Sequence, residues 1–347
     1  MSVSAFDLVS LIAAFSLPLL ILMLSLPPFL RYLRRTGRTV SDVHKQEATQ
    51  VPSPVGPLLL LSLVVGELAA YAFYPRSLIP LATVGCVLLA FAVGIMDDLY
   101  VVGGKTKPLL LCLTAVPLVA AQYIQSGVYS ARLAFPILGR FALGEHFSIY
   151  TVLVIAAFPI VSNAFNMMDS FNGEMSGFSV LTSLALTFGI ALHVATSKDF
   201  SIGHIAAALP LVAVSIGFYV FNKFPSKAFD GNSGSLVLGT MFATLAVTGG
   251  VEIAAVVALI PAILNSFYIL SSVRGFVERR SMGTRPTQMG SDGKIYASTD
   301  PSAPVTLIRM ILADGPLTEQ ELVRNVLLLT GASCLLSIVT SILTWVH

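Results

Sequence analysis

Two adjacent aspartates, Asp97 and Asp98, stand where the apolar run 88–96 gives way to a polar loop carrying Lys105 and Lys107. Charged groups at membrane depth cost roughly 2.5–3.5 kcal/mol each on insertion scales, so an acidic pair at such a boundary needs either bulk water or a ligand. A second cluster follows in Asn163-Ala-Phe-Asn166-Met-Met-Asp169-Ser-Phe-Asn172-Gly173. Residues three apart on a helix drift by about 60° per step, so Asn163, Asn166 and Asp169 share one broad face rich in oxygen. Interhelical hydrogen bonding would explain Asn163 alone, but three such residues followed by Asn-Gly point to a substrate or a metal. A third cluster, Asp230-Gly231-Asn232-Ser-Gly-Ser235, opens a helix. Free amides and the helix dipole favour an anion there, although turn and capping chemistry accounts for the same residues. Two more loops carry Asp42-Val-His44-Lys45 and the set Arg274, Glu278, Arg279, Arg280 and Arg285. Guanidinium forks suit a diphosphate, whereas the juxtamembrane Arg31, Arg34 and Arg35 read as orientation or lipid-contact residues.

Carboxylates and carboxamides are hard oxygen donors of the kind that hold Mg²⁺ or Mn²⁺ together with substrate phosphates. A divalent ion would also relieve the repulsion between Asp97 and Asp98. No Ser–His or Cys–His pairing suggests a covalent nucleophile. The chemistry implied is transfer onto or from phosphate.

The elements that must position these groups are membrane spans. Of 347 residues, 55% are hydrophobic and only 11% charged, and the apolar runs repeatedly reach the ~20 residues needed to cross a bilayer. The pattern predicts an all-α polytopic membrane protein with ten spans near 6–30, 56–74, 78–96, 108–125, 148–168, 175–194, 203–221, 235–249, 251–272 and 323–346. The first lacks a basic start and a cleavage site and reads as a retained span. Connections after odd-numbered spans carry most of the 20 Lys and Arg residues, which places those loops, and with them the active site, on the cytoplasmic face. The chain reads as one integral-membrane domain over 1–347, with a long, partly structured cytoplasmic loop at 273–322 that includes a short amphipathic segment. A net charge of +2 is too small to argue for a nucleic-acid partner, and no basic run interleaved with aromatics supports one, so none is expected. Cys86, Cys112 and Cys334 lie within spans without metal-site spacing and read as small core residues. Glu67 and Glu252 read as packing or interfacial residues, and His146, His193, His204 and His347 fall on the outer side.

Gly94-Ile-Met-Asp97-Asp98 with Lys107 ten residues after Asp97, then Asn163-Ala-Phe-Asn166-Met-Met-Asp169, then Phe229-Asp230-Gly231-Asn232-Ser-Gly-Ser235-Leu-Val-Leu-Gly239 together resemble the polyprenyl-phosphate N-acetylhexosamine-1-phosphate transferase family. The lysine spacing, the Pro-Leu-Leu-Leu after it and Arg285-Pro286 are most similar to the archaeal and eukaryotic UDP-GlcNAc:dolichyl-phosphate branch, and the histidine cluster of the bacterial peptidoglycan branch is missing. The resemblance implies ten helices, Mg²⁺ or Mn²⁺ as cofactor, and transfer of GlcNAc-1-phosphate from UDP-GlcNAc to dolichyl or polyprenyl phosphate with release of UMP. That reaction is the first membrane step of lipid-linked oligosaccharide synthesis for N-glycosylation. It implies Asp97, Asp98 and Lys107 as catalytic residues. Asp98, Asn166, Asp230 and Asn232 are the metal candidates. Asp42, Lys45, Asn163, Asp169, Asn172, Arg279, Arg280 and Arg285 are the substrate-binding candidates. Asn232 stands where the family carries Asp, with Asp230 two residues earlier, so either can supply the ligand. Pro52-Ser53 replaces the family's Pro-Glu. The membrane would be the plasma membrane in an archaeon or the endoplasmic reticulum in a eukaryote, and a homodimer is compatible with the sequence.

A lipid phosphate monoester has its second pKa near ~6 and is mostly dianionic at neutral pH. The expected reaction is therefore direct in-line attack on the sugar-bearing phosphorus, with Asp97 a metal or lysine partner before it is a base. Two rivals explain part of the pattern. An intramembrane prenyltransferase would want separated Asp-x-x-x-Asp motifs, and neither Asp97 nor Asp169 has an Asp four residues on. A secondary transporter would place its ionisable residues at the bilayer midplane, whereas here they gather at one edge.

Overall fold

The computed structural model describes residues 4–43, 45, 49–100, 102–144, 148–197, 200–273, 275 and 283–346. The chain begins with α1 (Ala5–Arg35), whose N-terminus is closed by a Ser4/Asp7 capping box and whose outward face is apolar at Leu8, Ile12, Leu20 and Leu24. A short antiparallel hairpin, β1 (Thr39–Asp42) with β2 (Thr49–Pro52), leads to α2 (Gly56–Phe73) and α3 (Ile79–Leu99). The fourth crossing is α4 (Thr106–Cys112) and α5 (Val116–Ile124), joined by a 3₁₀ turn at Leu113–Ala115. Pro117, in the first turn of α5, has no N–H to donate, which accounts for the break in the ladder. A second hairpin, β3 (Arg132–Phe135) with β4 (Gly139–Ala142), precedes α6 (Ile149–Met167), α7 (Glu174–Thr196) and α8 (Ile202–Asn222).

The two least regular crossings come next. α9 (Gly231–Thr248) is buried along nearly its whole length, and it packs against α3, α6, α2, α8 and α7. A helix with protein on every side need not be apolar enough for lipid, so Asn, Ser, Thr and Gly are tolerated in it. Its 18 residues span about 27 Å. The expected ninth span is not straight: α10 (Glu252–Ala258) and α11 (Ile260–Ser272) meet at 66°, next to Pro261 in the first turn of α11. Among the described residues eight other helices or helix pairs are long and apolar enough to cross a membrane on their own, as an integral membrane protein requires. The long loop holds hairpin β5 (Thr287–Met289)/β6 (Ile295–Ala297) and the short α12 (Leu307–Ile311) before the last crossing, α13 (Glu319–Trp345). Arg309 ties this loop together by donating to the carbonyls of Ser298 (2.9 Å) and Asp300 (3.0 Å).

Cys86 and Cys334 are buried and all three cysteines are free thiols, as expected. Glu67 is wholly buried and, among the described residues, neither of its carboxylate oxygens has a hydrogen-bond partner. Glu252 accepts from the Tyr150 hydroxyl. His193 lies between the rings of Phe200 and Trp345, in the half of α7 remote from Gly173.

Backbone and side-chain contacts bring five connections to one end of the bundle. Phe229 N–H donates to Pro52 O (3.0 Å), Asn232 N–H to Asp98 (2.8 Å), Asn172 Nδ2 to Asp42 (2.9 Å) and Lys45 Nζ to Glu319 (2.8 Å). Leu307 N–H reaches Asn265 Oδ1 (3.0 Å), while the Asn265 amide donates to Met167 O at the end of α6 (2.9 Å).

Candidate active site

The site begins with the approach of two helix ends. The last turn of α3 carries Asp97 and Asp98, and the first turn of α9 packs against it. Gly94 permits this: a Cβ there would stand 2.5 Å from Ser233 Cα. Asp98 then acts as a cap supplied from another helix. Its Oδ1 accepts from Asn232 N (2.8 Å) and Asn232 Nδ2 (3.2 Å), and its Oδ2 from Ser233 N (3.0 Å). The residue in the ordinary capping position, Asp230, makes no side-chain cap. First-turn amides otherwise lack partners, and a carboxylate complements the positive end of the helix dipole. Gly231 makes the tight entry with φ +71°, and a side chain there would meet Pro54 at 2.6 Å and the Asp98 carboxylate at 2.9 Å.

Lys107, ten residues after Asp97 and only 7% exposed, projects its ammonium into a cage of oxygens. Nζ donates to Asp97 Oδ2 (2.9 Å), Asn166 Oδ1 (3.0 Å) and Asn232 Oδ1 (3.0 Å). Asp97, 4% exposed, is fixed in turn by Val102 N–H on its other oxygen (2.9 Å). Asn166 Nδ2 donates to Asn232 Oδ1 (2.8 Å) and Ser235 Oγ (2.9 Å). Three helix ends, of α3, α6 and α9, thus converge on the ammonium carried by a fourth, α4, and α6 presents Asn166 inward as its three-residue spacing requires. Asn163 lies a turn deeper and joins none of these bonds.

Asp230 is wholly buried, and among the described residues its two carboxylate oxygens have no hydrogen-bond partner. Burial first, then the neighbouring charges of Asp169 and Asp98, push its carboxyl well above the usual carboxylate range. An orphaned acid beside two others is the signature of a place that a cation would stabilise. Among the described residues no three Asp, Glu, His or Cys side chains are grouped closely enough to hold a metal by themselves. The donor set fits a hard divalent ion only if carboxamides contribute, which Asn166 and Asn232 are placed to do beside Asp98 and Asp230.

The other expected residues form a second, adjoining cluster. Asn172, three residues after Asp169, donates its side-chain amide to Asp42 (2.9 Å) and its backbone N–H to Glu319 Oε1 (2.9 Å). Lys45 pairs with Glu319 (2.8 Å) and lies 3.7 Å from Asp42, with its ammonium over the Phe224 ring. The charge of Lys45 is therefore already met by protein carboxylates. Glu319 was not evident as a site residue: in the first turn of α13, behind the Thr318/Glu321 capping box, it reads as an ordinary dipole complement. Arg285 lines a cleft of about 390 Å³ with Val43, Thr284, Gln288, Ser298 and Asp300. Arg279 and Arg280 lie outside the described residues.

A family model described as glycosyl transferase family 4 matches residues 80–250, a stretch from α3 through α9 that contains Asp97, Asp98, Lys107, Asn166, Asp169, Asp230 and Asn232. A Saccharolobus solfataricus protein provisionally named as a UDP-N-acetylglucosamine–dolichyl-phosphate N-acetylglucosaminephosphotransferase is 25% identical over 319 residues, 90% of each chain. A protein of Methanocaldococcus jannaschii, provisionally named a glycosyltransferase, is 28% identical over 285 residues, 81% of each chain. The Schizosaccharomyces pombe UDP-N-acetylglucosamine–dolichyl-phosphate N-acetylglucosaminephosphotransferase is 26% identical over 200 residues, 55% of this chain and 45% of its own.

Proposed function

We propose that this chain, a member of glycosyl transferase family 4 and so a sugar-phosphate transferase acting on polyprenyl phosphate, moves N-acetylglucosamine 1-phosphate from UDP-N-acetylglucosamine to dolichyl or a related polyprenyl phosphate and releases UMP. In a cell that makes lipid-linked oligosaccharides for N-glycosylation, this is the first membrane step. The loop end of the bundle faces the cytoplasm, where the nucleotide sugar is available, while the lipid acceptor enters from the bilayer. The observation that carries the reading is the convergence of Asp97, Asn166 and Asn232 on the Lys107 ammonium, with Asp98 and Asp230 alongside.

An acceptor phosphate oxygen forms a bond to the phosphorus that bears the sugar, and the anhydride bond to the UMP oxygen breaks. Because the acceptor is already mostly dianionic at neutral pH, no general base is required. What the protein must supply is alignment and positive charge against the growing negative charge. Lys107 is the cation seated in the cage, and Asp97 tethers it there. Bound at Asp98, Asn166, Asp230 and Asn232, a Mg²⁺ or Mn²⁺ ion would supply charge neutralisation on the diphosphate. The Asp42, Lys45, Asn172 and Glu319 cluster fixes the first loop and the start of α13 against the loop after α6; Asp169 of that loop would meet the nucleotide, and Arg285 lines a cleft with Val43 of the first loop that would take the diphosphate or sugar.

Purified protein incubated with Mg²⁺, dolichyl phosphate and a panel of UDP-sugars should release UMP with UDP-N-acetylglucosamine and form a pyrophosphate-linked lipid. Product from prenyl diphosphates alone, or no product with any nucleotide sugar, would reject the reading.

A further inference from the structure

We infer that the Lys107 ammonium and the divalent ion compete for the same oxygens, so that the arriving ion expels Lys107 from its cage and frees it for an anionic substrate. The inference rests on the metal reading above and goes beyond it, because it concerns what the lysine does in response to the ion.

Lone pairs decide the competition. A carboxamide oxygen has two. Those of Asn232 Oδ1 are both engaged, by Lys107 Nζ at 3.0 Å and by Asn166 Nδ2 at 2.8 Å. Asn166 Oδ1 also receives the ammonium, at 3.0 Å. Any ion that uses these two carbonyls must remove a donor from Asn232. The Asn166 amide is anchored a second time, on Ser235 Oγ at 2.9 Å, and is neutral. The ammonium carries a full charge of the same sign as the ion and has a flexible four-carbon stem. It is therefore the donor that leaves.

Asp97 makes the exchange reversible. It stands outside the pair of carboxamides, and Val102 N–H (2.9 Å) holds it in place, so it can keep Lys107 near while the other two contacts open. A lysine released in this way keeps one N–H on Asp97 and has two for phosphate oxygens, available only once an ion is in place. The order of events follows: the ion first, the lysine–phosphate contact second. A permanently seated ammonium could not give that order, because its three donors are consumed by Asp97, Asn166 and Asn232.

The test uses the full chain in nanodiscs, without either substrate, and reads Mn²⁺ binding from the electron paramagnetic resonance signal of free Mn²⁺. Lys107→Met should bind Mn²⁺ more tightly than wild type, by roughly tenfold or more, within the span expected of one linked exchange. In wild type, Mn²⁺ should raise the acetylation rate of Lys107 severalfold under an amine-reactive reagent, read on the peptide by mass spectrometry, with Lys223 as the internal reference. The labelling needs no variant and so stands even if Lys107→Met does not fold. Unchanged or weaker Mn²⁺ binding by folded Lys107→Met overturns the inference. So does tighter binding with Lys107 still protected from acetylation, which would mean that the two cations only repel each other across a distance. Failure of both proteins to bind Mn²⁺ would overturn the metal reading along with it, whereas ion-driven exposure of Lys107 without UMP release would leave the exchange standing and reject only the proposed substrates.

Discussion

Asp98→Asn separates the structural part of the site from its chemistry. The carboxylate of Asp98 accepts three hydrogen bonds from the first turn of α9, at 2.8, 3.2 and 3.0 Å. Hydrogen bonds to charged groups contribute about 1.5–3 kcal/mol each, against about 0.5–1.5 kcal/mol for neutral ones. Asn is nearly isosteric, and its carbonyl can still face the two Asn232 donors. Its NH₂ must then face the Ser233 N–H, where two donors meet and neither is satisfied. Losing the charge on two bonds, at about 1 kcal/mol each, and stranding the amide of buried Ser233, at about 1–3 kcal/mol, should cost about 3–5 kcal/mol. Thermal unfolding of the detergent-solubilised protein should show a midpoint lower by several degrees, and hydrogen exchange should accelerate at Asn232 and Ser233 while the remainder of α9 stays protected. An unchanged midpoint with unchanged exchange at those two amides would refute the idea that Asp98 caps α9 from α3.

Glu319→Gln removes the charge that Lys45 pairs with at 2.8 Å, and it should lower stability by about 1–3 kcal/mol and raise KM for the nucleotide sugar; equal melting and equal KM would show the pair to be incidental. Because the Asp230 carboxyl is raised in the fold above its ordinary value of 3.8, the folded protein keeps a proton that the unfolded chain has released. Stability in chelator-treated samples should therefore fall as pH rises above about 4, until Asp230 ionises in the folded protein, and Asp230→Asn should flatten that slope in thermal unfolding followed from pH 5 to 8. Chelation should abolish UMP release, with recovery on adding Mg²⁺ or Mn²⁺; full turnover in excess chelator would exclude a divalent ion from the reaction.

Much of this was legible in the chain. Apolar runs of bilayer length located the crossings because lipid-facing helices such as α1 must be apolar over their whole outer surface. The three-residue spacing of Asn163 and Asn166 gave the inward face of α6, although only Asn166 enters the cage; Asp169, expected on the same helix face, lies past the helix end at Met167. What the pattern did not disclose has a common origin. The bend between α10 and α11 arises where Pro261 interrupts a run whose hydropathy continues unbroken. α9 is polar for a span because its neighbours are protein, and hydropathy registers composition without registering what surrounds it. Glu319, far along the chain from Lys45, has no local signal to separate it from a helix-capping acid.

The sequence alone determined which side chains could take part and at which helix ends they stand, because residue type and helical periodicity are local properties. Only the tertiary structure decided their partners: that Asp97 holds a lysine, that Asp98 caps another helix, that the buried Asp230 carboxylate has no hydrogen-bond partner among the described residues, and that one ammonium sits among the oxygens a metal would need. Those assignments depend on how closely four helix ends approach, and that distance is set by packing at positions such as Gly94 against Ser233, which no one-dimensional pattern contains.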